Sequence, residues 1–87
     1  MNNPSGLTVD THGYVYVSDH FNHRILVMNP SLIDARQLPL PVVTALQWPY
    51  SLLLDQSRDL LYVSEYGGQN RLLVFDNVTN VGALFSR

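Results

Sequence analysis

The chain contains no cysteine and no lysine, and none of its apolar runs exceeds four residues. Without thiols it can form neither disulfides nor thiolate metal sites, which suits a reducing compartment and does not exclude secretion. Without lysine, positive charge rests on Arg24, Arg36, Arg58, Arg71 and Arg87, scattered among seven acidic residues for a net charge of −2. Nucleic-acid backbones call for a dense positive patch, so binding of nucleic acid through this segment is disfavoured. Runs such as Leu60 to Val63 and Leu72 to Phe75 end in polar residues, far short of the roughly 20 residues of a membrane span. The opening Met1-Asn2-Asn3-Pro4 has neither the charged start nor the apolar stretch of a secretory leader. What remains is ordinary globular material: 87 residues, 46% apolar and 14% charged, enough for one small domain.

Its arrangement is repetitive. Pro4-Ser5-Gly6-Leu7-Thr8-Val9-Asp10 returns as Pro49-Tyr50-Ser51-Leu52-Leu53-Leu54-Asp55, Tyr16-Val17-Ser18-Asp19 as Tyr62-Val63-Ser64-Glu65, and Arg24-Ile25-Leu26-Val27-Met28-Asn29 as Arg71-Leu72-Leu73-Val74-Phe75-Asp76. The offset grows from 45 to 46 to 47 residues. A period of that size points to stacked units that cannot bury their faces alone. The repeat divides the chain into units at 1–47 and 48–87.

Each unit reads as three short strands: Gly6 to Asp10, Tyr14 to Asp19 and Arg24 to Asn29 in the first, rich in Val, Tyr, Ile and Leu. Asp10-Thr11-His12-Gly13 supplies turn chemistry between the first two, with glycine able to take positive φ. The second unit lengthens this turn by one residue, Asp55 to Asp59, and the next turn by another, Tyr66 to Asn70 against His20 to His23. Insertions thus fall in turns. A helix over Ser51 to Tyr66 competes, with Ser51 as cap, but the same positions in the first unit carry Gly6, Thr8, Val9 and Gly13, poor helix formers. The middle strand is apolar on both faces, Tyr14 and Tyr16 against Val15 and Val17, which predicts burial on both sides. A fourth strand is predicted near Val42 to Leu46 in the first tail, and Gly82-Ala83-Leu84-Phe85-Ser86 is its counterpart in the second.

Pro4-Ser5-Gly6-Leu7, Asp10, Gly13, Tyr16-Val17-Ser18-Asp19 and Asn22-His23-Arg24-Ile25 together resemble the NHL repeat, the blade unit of a β-propeller family. The second unit is looser: Asn70-Arg71-Leu72 keeps the pattern, while Glu65 replaces Asp19. Tyr16-Val17-Ser18-Asp19 is also similar to the core motif of Tyr-Trp-Thr-Asp propellers, and Trp48 lacks the acid that would complete a WD signature. The resemblance implies an all-β fold of two four-stranded antiparallel blades, a fragment of a six-bladed NHL-type β-propeller.

Residues with chemical potential are weighed against that repetition. Asp19 with Arg24, and Glu65 with Arg71, flank the same hairpin in both units and read as ion pairs that pin it, because catalytic groups are seldom duplicated once per unit. Asp10 and Asp55 read as turn residues accepting backbone N–H bonds. His12, His20 and His23 do not recur and lack a neighbouring ligand cluster, so they read as surface turn histidines rather than metal ligands. Ser5, Ser18, Ser51 and Ser64 lack the elbow of an activated nucleophile. Gly67-Gly68 lacks a phosphate-loop continuation. Tyr14, Tyr16, Tyr62 and Tyr66 are expected to pack between blades, Tyr66 least firmly, with a stacking surface for bases or sugars as the alternative. Asn77-Val78-Thr79 matches a glycosylation acceptor. No catalytic, cofactor or metal residue is assigned.

The expected function is a non-catalytic scaffold whose loop ends bind a protein or other macromolecule. The resemblance also implies two alternatives: part of a metal-dependent lactonase or lyase completed by other blades, and RNA binding, which the charge disfavours. Two blades leave apolar faces uncovered, so further blades or self-association are expected; three chains would complete a six-bladed ring.

Overall fold

The computed structural model describes residues 4–40, 46–67, 70–76, 78 and 81–85. Their strands run β1 (Pro4–Val9), β2 (Val15–Asp19), β3 (Arg24–Met28), β4 (Ala35–Gln37), β5 (Pro49–Asp55), β6 (Leu60–Glu65) and β7 (Leu72–Asp76). β1 to β4 form one antiparallel sheet in sequence order, and β5 to β7 form a second. The repeat extends to register: β1 and β5 each carry an irregularity one residue in, between Pro4 and Gly6 and between Pro49 and Ser51. It extends to turn conformation as well. Gly13 and Asp59 take positive φ at the first turn, and His23 and Asn70 at the second.

The side chains that form the core follow from strand alternation. Tyr16, Ile25 and Val27 share one face of the first sheet, and Leu61, Val63 and Phe75 share one face of the second; the six belong to one buried cluster with Leu38, Val78 and Val81. The sheets therefore pack face to face, with β1 against β5. Gly6 makes that approach possible, because a Cβ there would lie 2.7 Å from the Tyr50 carbonyl oxygen and 3.0 Å from Ser51 Cα. Two sets of polar contacts fasten the seam at opposite ends. The Ser18 and Ser5 hydroxyls donate to the Tyr50 carbonyl at 2.7 and 2.9 Å, and Gln56 exchanges a reciprocal pair with Thr11, accepting from its N–H at 2.8 Å and donating to its hydroxyl at 2.9 Å.

Of the two predicted tails, the second requires correction. In the first, the strand expected near Val42 to Leu46 falls on residues of which 42–45 lie outside the described residues, and the fourth described strand of the first sheet is Ala35–Gln37, a short exposed edge. Asn29 sets it up, its side-chain oxygen accepting from the Ile33 and Asp34 N–H groups at 3.2 Å each, which turns the chain back beside β3. Residues 82–85 form no strand: Val81–Phe85 is a 3₁₀ segment. Phe85 stacks on Tyr14 at 5.7 Å and lies beneath the Arg36 guanidinium at 5.4 Å, so the segment caps the first sheet rather than extending the second. Gly82 fits against the Tyr14 hydroxyl. Burial of the middle strands also differs between units. β2 is buried from Tyr16 to Asp19, whereas β6 alternates, with Leu61, Val63 and Glu65 buried and Leu60, Tyr62 and Ser64 facing an uncovered side.

Candidate functional site

The duplicated acids and arginines form matching pairs at one end of the sheets. Asp19, the last residue of β2, is fully buried and accepts from Arg24 Nε at 2.9 Å, with the Asn22 amide donating to both carboxylate oxygens at 3.1 Å. Glu65, the last residue of β6, accepts from Arg71 Nε at 2.8 Å and from the Gln47 N–H at 2.8 Å. Burial works to raise the Glu65 pKa, but the Arg71 guanidinium and the backbone N–H groups of Gln47 and Trp48 outweigh it and hold the carboxyl below the usual carboxylate range. Each pair spans the connection between the second and third strands of its unit, pinning the hairpin and, through Glu65, the segment leading into β5.

At the other end Asp10 organises its turn. One carboxylate oxygen accepts from the His12 and Tyr14 N–H groups at 2.9 and 3.0 Å, and the other from the Tyr16 hydroxyl at 3.2 Å. Burial and then the Asp10 carboxylate push the Tyr16 phenol well above its ordinary range. Asp55, its counterpart, accepts from the Ser57 hydroxyl at 2.9 Å and pairs with Arg58.

The histidines separate into different roles. His12 is exposed on its turn. His20 is not a surface residue: it is buried at the seam, its Nδ1–H donating to the Pro49 carbonyl at 3.0 Å. His23 is exposed and its Nδ1–H donates to the Gln47 carbonyl. His20 ties the β2–β3 turn to the start of β5, and His23 ties it to the segment just before. Of the tyrosines, Tyr16 lies in the core and Tyr14 packs at its margin. Tyr62 lies on the uncovered face of the second sheet, and Tyr66 stands 68% exposed at the loop end.

Around those turns lies the most distinctive constellation, a connected set of rings on three separate pieces of chain. His20 contacts Phe21, Trp48 and Tyr50 at centroid distances of 5.0, 5.4 and 5.8 Å. Trp48 also meets Phe21 edge-on at 6.1 Å and His23 at 4.4 Å, and Tyr50 meets Tyr66 at 5.4 Å. The Tyr66 N–H donates to the Trp48 carbonyl at 3.0 Å, tying the end of β6 to this group. Phe21 is 51% exposed, so the outer side of the cluster is open to solvent. Sequence reasoning passed over Phe21 and Trp48 because strand periodicity says nothing about rings on turns. The available signal was aromatic residues at 21, 48, 50 and 66, next to turns rather than within the apolar alternation.

Such a surface offers a partly exposed apolar area built largely from aromatic rings. Residues 1–28 match the family model of the NHL repeat, so the chain carries an NHL repeat. No curated protein matches the chain.

Proposed function

From a chain that carries an NHL repeat, we propose a non-catalytic β-propeller segment that acts as an interaction scaffold, with blades at 1–47 and 48–87 of a six-bladed ring. Its loop end binds a protein partner through the aromatic cluster. The observation that carries this reading is the joining of Phe21, Trp48, Tyr50 and Tyr66 from three chain segments into one partly exposed surface. Aromatic anchors of this kind dominate protein interfaces. Charge favours protein over RNA: each of the four described arginines is in an ion pair, Arg24 with Asp19, Arg36 with Asp34, Arg58 with Asp55 and Arg71 with Glu65, which leaves little positive charge for phosphates.

Selection of a displayed peptide library on the immobilised chain tests the reading, with Phe21→Ala and Tyr66→Ala as the discriminating variants. Selected binders are expected to lose about tenfold or more in affinity, the cost of truncating an interfacial hot spot. Binders indifferent to both substitutions would sink the loop-end surface. Hydrolysis of a lactone that depends on added divalent metal would move the chain to the enzyme class.

A further inference from the structure

The two outward faces of the sheet pair are copies of the two faces already packed together inside it. On the uncovered face of the second sheet, Tyr62, Ser64 and Val74 repeat Tyr16, Ser18 and Val27, which line the covered face of the first. On the outward face of the first sheet, Leu7, Val17 and Leu26 repeat Leu52, Val63 and Leu73, which face the seam from the second; Leu7 and Val9 of β1 are exposed there, whereas Val17 and Leu26 are buried. The exposed apolar part of these two faces lies along β1 and β5, with Leu7 and Leu53 each at 64% exposure.

Where the two versions differ, the changes compensate. The outward face of the second sheet is bulkier than its packed counterpart, with Ser51 for Gly6 and Leu53 for Thr8. The outward face of the first sheet is slimmer, with Val9, Val15 and Met28 for Leu54, Leu61 and Phe75. A fuller surface and a shallower one make up for each other's volume, as close packing requires. Between Ser51, Leu53, Tyr62, Ser64 and Leu72 the outward face holds a groove of about 250 Å³, at the place equivalent to that where β5 crosses Gly6 and Ser18 inside the chain.

We infer that copies of this chain associate head to tail, the Leu7 face of one seating on the Leu53 face of the next, with Ser64 donating to the Ser5 carbonyl of its neighbour as Ser18 donates to the Tyr50 carbonyl within the chain. The contact is heterologous, so it builds rings or ladders rather than two-fold dimers. It is also looser than the internal seam, because Ser51 places a Cβ where Gly6 admits a carbonyl oxygen at a spacing no Cβ tolerates. These are lateral sheet faces, separate from the aromatic loop end.

Light scattering on separated fractions of Leu7→Asp, Leu53→Asp and their mixture tests the polarity, with circular dichroism confirming that each variant keeps its sheets. The wild-type chain is expected to exceed its 9.8 kDa mass, each variant alone to be monomeric, and the mixture to form a discrete 1:1 dimer through the one intact pair of faces. A monomeric wild type, a variant that still self-associates, or a mixture that stays monomeric would each overturn the inference. Adding Ser51→Gly to the Leu7→Asp partner is expected to tighten the mixed dimer at least about fivefold, the effect of relieving one overpacked contact; no gain would refute the proposed seating of β1 on β5. Phe21→Ala and Tyr66→Ala are expected to leave the mixed dimer intact, so loss of loop-end binding and loss of association are separable.

Discussion

Replacing Gly6 by alanine puts the seam between the sheets under direct load. The new methyl would stand 2.7 Å from the Tyr50 carbonyl oxygen, 3.0 Å from Ser51 Cα and 3.3 Å from Ser18 Oγ, and the first two are backbone atoms that cannot swing aside. Overpacking of this kind costs about 1–3 kcal/mol. Moving β5 away also stretches the Ser18 hydroxyl bond to the Tyr50 carbonyl, now 2.7 Å, for about 1 kcal/mol more. Alanine recovers about 0.5–1 kcal/mol of glycine's unfolded-state entropy. The balance is a loss of about 1–3.5 kcal/mol, which lowers Tm by roughly 4–28 °C in a domain of this size. The melt is best followed in the Leu7→Asp, Leu53→Asp background, where association does not contribute to stability. Ser51→Ala at the equivalent exposed position serves as the control and is expected to stay within about 0.5 kcal/mol. A Gly6→Ala chain as stable as its parent, or more so, would refute the close approach of β1 and β5.

Acid should weaken the fold through Glu65. Its folded pKa is lowered, so its contribution is present above the unfolded value near 4.3 and is lost as pH falls through the folded one; Glu65→Gln is expected to cost about 1–2 kcal/mol at pH 7 and to flatten the acid limb of the melt. Alkali acts through Tyr16, whose folded pKa is raised. The stability it lends is complete below about pH 10, where the unfolded phenol ionises, and is lost as pH climbs further. Tyr16→Phe, which leaves one Asp10 oxygen without this donor, is expected to lose about 1 kcal/mol at neutral pH and to show a shallower alkaline decline. An unchanged acid limb in the first variant or an unchanged alkaline limb in the second would remove the corresponding group from the account.

Strand positions were legible in the sequence because the repeat supplied each one twice. The helix reading of Ser51 to Tyr66 fails against Gly6, Thr8 and Gly13, and β5 and β6 occupy that stretch. The Ala35–Gln37 strand was not legible because apolarity was the only guide available. Ala35–Gln37 is polar and three residues long, held by edge hydrogen bonds and the Asn29 turn rather than by burial, so it leaves no hydrophobic trace. Val81–Phe85 carries the apolar trace without the strand: Val81 is buried and Leu84 and Phe85 are partly buried against the core, with Phe85 stacked on Tyr14, tertiary contacts no local pattern reveals. The sequence places His20 at the surface because it lies on a turn and does not recur in the second unit, where Tyr66 stands instead. The structure buries His20 against Trp48 and the Pro49 carbonyl, whereas the Tyr66 side chain stands 68% exposed with the Tyr50 ring beside it. The loop-end cluster was hidden for a related reason, since its rings are brought together by the packing of two units and not by any spacing within one.

The central claim is that the two repeat units pack as neighbouring sheets with β1 against β5, and one measurement addresses it most directly. In the NMR spectrum of the Leu7→Asp, Leu53→Asp chain, the Gly6 Hα protons are expected to give a nuclear Overhauser effect to protons of Ser51, because a Cβ at Gly6 would stand only 3.0 Å from Ser51 Cα. An assigned spectrum with both sheets formed and no such cross-peak would contradict the account.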